Sequence, residues 1–180
     1  MTIKVGQITN LQVARYCAGM GVQMLGFTAT PVHPSYISPE TYLQIREWVT
    51  GPLMVLELFE GEEVQDIRGK IESYQPDLIE CPLEILSFVS VNCRLPLLIR
   101  LQSLESPLTH GLSAIGDRVK FVVVNPPWPL HEKIQGCPTL IQVSNAEELD
   151  SYRESDVSIS AAWNENEMDL YEALERLYNV

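Results

Sequence analysis

Two kinds of block alternate along the whole chain: short apolar runs bounded by turn residues, and longer stretches with apolar residues at helical spacing. The first run, IKVGQI from residue 3, leads through Thr9 and Asn10 into NLQVARYCAGMG. There Leu11, Ala14, Tyr16 and Ala18 predict a helix that closes at Gly21. MLGFTA (24–29) predicts a second strand. After the turn TPVHPSYI comes SPETYLQIREWV, with Ser38 as N-cap, Pro39 at the first helical position and Gly51 just past the end. The same alternation predicts strands over 53–60 and 77–83, a helix over 62–74 between them and an apolar helical stretch over 84–92.

The second half continues with strands over 95–103, 119–126, 139–144 and 156–162 and helices over 145–155 and 166–180. Its links after the fifth and sixth strands are poorer, broken by Pro, Ser and Gly. Eight strands alternating with helical or near-helical links, at about 22 residues per unit, predict an α/β fold: a compact parallel (β/α)8 TIM barrel with short loops. An open doubly wound sheet is the alternative. The count of eight and the lack of a Gly-rich phosphate loop after the first strand favour the barrel. With 180 residues, the chain is expected to form one domain spanning 1–180.

Composition acts mainly by exclusion. Net charge is -12, and the excess of acids is spread over both halves, so no basic face is available for nucleic acid. No apolar run approaches the roughly 18 residues of a membrane span. The opening MTIKVGQ enters a strand at once, without a basic-then-apolar leader, which predicts a cytoplasmic protein. Cys17, Cys81, Cys93 and Cys137 form no CxxC or Cys/His cluster, and His33, His110 and His131 lie far apart. Reduced structural thiols, no metal and no cofactor are therefore expected.

Strands covered on both faces read as continuous apolar runs, which makes their polar exceptions informative. These are Lys4, Gln7, Glu57, Glu80, Arg100, Gln102, Asn125, Gln142, Ser158 and Ser160. In a barrel, polar groups near the carboxyl ends of strands face the mouth, so a small-molecule pocket is predicted there, lined by Gln7, Glu57, Glu80, Arg100, Asn125, Gln142, Ser158 and Ser160. Two readings of the charges stay open: Lys4 and Arg100 neutralise Glu57 and Glu80, or one glutamate acts as an acid or base beside a ligand. Tyr36, Trp128 and Trp163 are expected in loops above the mouth, as packing or as ligand-stacking groups. Trp48, at the end of a helix, is expected to pack in the outer ring.

Gly6, at the end of the first strand, has no side chain to pack and suggests a close backbone approach or a lost occupant. IKVGQITN resembles the opening Lys-Ile-Cys-Gly-Ile-Thr-Asn of the phosphoribosylanthranilate isomerases, barrel enzymes of tryptophan biosynthesis that carry out an Amadori rearrangement. LGFTATPVHPSYISPE is similar to their Leu-Gly-Phe stretch followed by Ser-Pro-Arg-Tyr-Ile-Ser-Pro-Glu. Weaker echoes are LELFEGEEV, DLIECPLE against Gln-Leu-His-Gly, and DVSISAA against Asp-Val-Ser-Ser-Gly.

The resemblance implies that Gly6 stands at the position of the family's general-base cysteine and Asn125 at that of its general-acid aspartate. It likewise sets Ser35 where the family has an arginine, Gln142 and Val143 where it has a Gly-Gly pair, and Ser160 in place of a glycine. Three functions follow. The favoured one is a diverged, isomerase-like barrel without isomerase activity that binds an unknown, non-phosphorylated small molecule or a protein partner. The others are an enzyme of different chemistry using Glu57, Glu80 and Arg100, and a surviving isomerase with substituted catalytic groups.

Overall fold

A parallel strand satisfies its backbone only when it has a neighbour on each side, and here the last strand supplies that neighbour for the first. The computed structural model describes residues 1–101, 115–125, 136–152, 158–162 and 170–178. The strands β1 (Ile3–Gly6), β2 (Met24–Thr28), β3 (Leu53–Glu57), β4 (Leu78–Pro82), β5 (Leu97–Leu101), β6 (Val119–Val124), β7 (Thr139–Val143) and β8 (Ser158–Ala162) form a closed barrel in sequence order. Closure is made by Lys4 opposite Ser160, Val5 opposite Ala161 and Gly6 opposite Ala162. The predicted parallel (β/α)8 TIM barrel is therefore the fold, and the open sheet is not.

Around it lie α1 (Leu11–Gly19), α2 (Pro39–Trp48), α3 (Val64–Tyr74), α4 (Leu86–Asn92), α5 (Ala146–Tyr152) and α6 (Leu170–Tyr178). The predicted caps are present: Asn10 Oδ1 accepts from the Val13 amide at 2.9 Å, and Ser38 Oγ accepts from the Thr41 amide at 3.2 Å. The stretch predicted as one helix over 84–92 divides into a 3₁₀ turn at Leu83–Ile85 and α4. Most strands are shorter than predicted, because pairing stops where the chain turns away at the barrel ends. β1 ends at Gly6, where Gln7 takes a left-handed φ of 58°. Most of the links after β5 and β6 lie outside the described residues, as do Gln102, His110, Trp128, His131 and Trp163.

Two apolar clusters hold the barrel. The larger lies between strands and helices and includes Ile3, Val5, Phe27, Leu56, Ile79, Ile99, Val122 and Ile141. The smaller consists of Met24, Val55, Leu78, Leu98, Val123 and Leu140, with Phe121 against it. Its members lie on the opposite strand face from the larger cluster, as period-two alternation requires, and fill the lower barrel interior. Trp48 departs from its expected packing role. Although it ends α2, it is 70% exposed. Cys17, Cys81 and Cys93 are buried, and burial pushes the Cys17 and Cys81 thiols up to about 12, as suits packing groups. Among the described residues no helix is long and apolar enough to cross a membrane.

The two clusters make opposite predictions for two large side chains. Leu98→Ala, in the fully buried inner cluster, is expected to cost about 2–5 kcal/mol in urea unfolding. Trp48→Ala is expected to change stability by less than about 0.5 kcal/mol. Equal effects would contradict this division of the core.

Candidate functional site

On four strands the inward-facing position above the apolar plug is polar: Val55 is followed by Glu57, Leu78 by Glu80, Leu98 by Arg100 and Leu140 by Gln142. Glu57 and Glu80 are register partners on adjacent strands, an arrangement of like charges that is unfavourable by itself. Lys4 on β1 resolves it. Its Nζ lies 2.5 Å from Oε1 of Glu57 and 2.8 Å from Oε2 of Glu80. Arg100 completes the set, with Nε at 2.9 Å and Nη2 at 2.6 Å from Oε1 of Glu80. Two cations and two carboxylates thus sum to zero inside the barrel, which lets them be buried together.

Backbone and neighbouring side chains finish the arrangement. Oε2 of Glu57 accepts from the Gln7 amide at 2.9 Å and lies 3.4 Å from the Thr28 hydroxyl. The backbone turns left-handed at Gln7 just after this amide, and Ser35 Oγ donates to the Gln7 side-chain oxygen at 3.3 Å. The Arg100 guanidinium rests over the Phe59 ring, 4.7 Å from its centre, and His33 stacks on Phe59 at 4.4 Å.

Burial favours the neutral forms of both Lys4 and Glu80, and in each case the partners overcome it. Glu57 and Glu80 raise Lys4 above its ordinary value, so it is an ammonium and not a free amine nucleophile. Lys4 and Arg100 hold the Glu80 carboxyl down at about 2. A carboxylate held that low is a poor proton donor or acceptor near neutral pH. Of the two readings of the charges, the geometry matches mutual neutralisation.

Above the network is a cleft of about 280 Å³ lined by Lys4, Gly6, Gln7, Glu57, Phe59, Glu80, Arg100, Gln142, Ser144, Ala161 and Ala162. Of the residues expected there, Gln7, Glu57, Glu80, Arg100 and Gln142 come together. Ser158 does not, because it starts β8 at the opposite end of the barrel, where its Oγ accepts from the Thr2 amide at 3.1 Å. Asn125 follows β6 directly, but it is exposed and is not among the lining residues. Ser160 is fully buried in register between Lys4 and Gln142, and its Oγ has no hydrogen-bond partner among the described residues. Tyr36 is 38% exposed in the loop after β2. Phe59 and Ser144 were not foreseen, although each lies two residues beyond a foreseen position, Glu57 and Gln142, on the same alternation. Among the described residues no group of His, Cys, Asp and Glu is arranged to hold a metal ion.

Gly6 and Gly26 now have a physical reason. A Cβ on either would overlap Oε1 of Glu57, and one on Gly6 would also sit 2.8 Å from Lys4 Nζ. The carboxylate occupies the space that a side chain at position 6 would need.

No family model and no curated protein sequence matches the chain. Solved structures do match. A phosphoribosylanthranilate isomerase from Thermus thermophilus aligns with TM-score 0.71 at 16% identity, over 99% of this chain and 97% of that one. A phosphoribosylanthranilate isomerase in complex with reduced 1-(o-carboxyphenylamino)-1-deoxyribulose 5-phosphate aligns with TM-score 0.75 at 17% identity, over 99% and 97%. A 3-hexulose-6-phosphate synthase aligns with TM-score 0.60 at 11% identity, over 99% of each chain. At such identities the likeness is one of fold, and this barrel has the fold of the phosphoribosylanthranilate isomerases.

The network predicts an acid-sensitive stability. Because the folded state holds Glu80 below its ordinary value of 4.5, its contribution is present above that value and is lost as pH falls toward about 2. Urea unfolding between those pH values should show declining stability, with a shallower decline in Glu80→Gln. Arg100→Met alone should cost about 3–5 kcal/mol by stripping a partner from a buried carboxylate. Adding Glu80→Gln to it should recover part of that loss.

Proposed function

We propose that this chain is a one-domain, isomerase-like barrel that does not isomerise phosphoribosylanthranilate and instead binds a small molecule at the mouth. One observation carries the reading. At position 6, where the sequence resemblance sets a general-base cysteine, there is no room for a thiol, because the Glu57 carboxylate lies over Gly6 and is held by Lys4 and the Gln7 amide. The loss is therefore built into the packing of β1, β2 and β3 and is not a single exchanged residue.

Further features support it. The position corresponding to the family's general acid is Asn125, whose amide cannot donate a proton as a carboxylic acid does. Gln142 projects into the cleft where the resemblance sets a glycine, and glycines leave backbone amides bare for phosphate. Ser35 spends its hydroxyl on Gln7 where the resemblance sets an arginine. Each positioned acid or base typically supplies about 10²–10⁴ in rate, so losing both removes useful turnover even if substrate enters.

An assay of phosphoribosylanthranilate consumption by the purified protein tests the reading, and no turnover above background is expected. Gly6→Cys with Asn125→Asp should remain inactive. Gly6→Cys should also lose about 1–3 kcal/mol in thermal or urea unfolding, since its side chain must displace the Glu57 carboxylate. Turnover by the wild type would refute the proposal.

A further inference from the structure

Within the proposed small-molecule reading, on which this step rests, the mouth also carries information about the ligand. Arg100 differs from the rest of the network in reaching solvent: its side chain is 23% exposed, against 2–3% for Lys4, Glu57 and Glu80. Its Nε and Nη2 both donate to the single oxygen Oε1 of Glu80, so one side edge of the guanidinium is taken. The Phe59 ring covers one face. Among the described residues, Nη1 has only a 3.5 Å contact, with the Leu58 carbonyl. The outer edge formed by Nη1 and the second Nη2 proton is therefore available, and that fork matches the two oxygens of a carboxylate.

Charge and size narrow the class. Lys4 and Arg100 already balance Glu57 and Glu80, so a singly charged anion disturbs the site less than a phosphate dianion placed beside two carboxylates. A cleft of about 280 Å³ has the volume of about nine liquid waters at about 30 Å³ each, the scale of a small organic acid. Beside the network, its wall carries the neutral polar side chain of Gln142, which can donate or accept a hydrogen bond. We infer that the mouth takes a small, singly charged hydroxycarboxylic acid, its carboxylate on the outer edge of Arg100 and its hydroxyl toward Gln142.

Titration of the full chain by 1H–15N NMR at pH 7 and constant ionic strength tests this with three probes: sodium lactate, neutral lactamide and inorganic phosphate. Lactate should shift the backbone amides of Gln7, Phe59 and Gln142 and the Nε proton of Arg100, approaching saturation by about 50 mM. Lactamide should bind at least about tenfold more weakly, the factor expected from about 1.4 kcal/mol of charge-assisted bonding. Phosphate should also bind more weakly than lactate. The double variant Arg100→Met with Glu80→Gln, which removes the pair together and whose fold is checked by thermal unfolding, should lose the lactate response.

Lactamide matching lactate would overturn the carboxylate assignment while leaving a small-molecule site intact. Tighter binding of phosphate would overturn the single-charge argument, and an unmoved mouth under lactate would overturn the inference as a whole. Because the amide probe needs no variant, the test survives a double variant that fails to fold. Failure here is distinct from failure of the broader reading, which is refuted by isomerase turnover and not by any of these titrations.

Discussion

The buried ion network of Lys4, Glu57, Glu80 and Arg100 is the constraint on which the upper half of the barrel depends. Two carboxylates stand side by side on β3 and β4 because strand register makes them partners, and neither has solvent to screen it. Lys4 reaches them from β1, and Arg100 approaches Glu80 from the far side. Three contacts of 2.5–2.8 Å thus connect strands that are not all neighbours. Removal of Lys4 or Arg100 leaves a carboxylate uncompensated where water cannot reach it, which couples the members of the network.

That network also sets what the mouth can hold. Glu57 can lie where it does only because Gly6 and Gly26 have no Cβ, and its second carboxylate oxygen is fixed by the Gln7 amide. The space above β1 is thereby committed to a carboxylate. A side chain at position 6 and the carboxylate of Glu57 compete for the same volume. Arg100 is the member that escapes complete burial, and the cleft takes its polarity from it and from Gln142.

The lower half obeys different physics. Met24, Val55, Leu78, Leu98, Val123 and Leu140 plug the barrel with apolar contact alone. Polar side chains there secure elements. Arg46 joins Asp77 at 2.8 Å, and the other oxygen of Asp77 accepts from the Met54 amide at 2.8 Å. Arg118 donates to the carbonyls of Ser90 at 2.8 Å and Cys93 at 2.5 Å, meeting acceptors that the end of α4 leaves free.

Much of this was legible in the chain itself. Alternation of apolar runs with helical spacing determined eight strands, and the caps at Asn10 and Ser38 marked helix starts, because hydrophobic period and capping are local properties. Polar residues inside apolar strands pointed to Glu57, Glu80, Arg100 and Gln142 for the same reason. What the chain could not specify was which end of a strand each exception occupied and which partner it met. Ser158 and Ser160 differ by two residues and read alike, yet one starts β8 at the barrel base and the other lies buried beside Lys4. Trp48 ends a helix like a packing residue and stands in solvent. The pairing of Lys4 with two glutamates 53 and 76 positions away, and the carboxylate above Gly6, exist only once β1, β2, β3 and β4 have come into register. Sequence determined the periodicity, which depends on neighbours in the chain; tertiary structure decided the site, because electrostatic partners and steric volume depend on register between strands far apart in it.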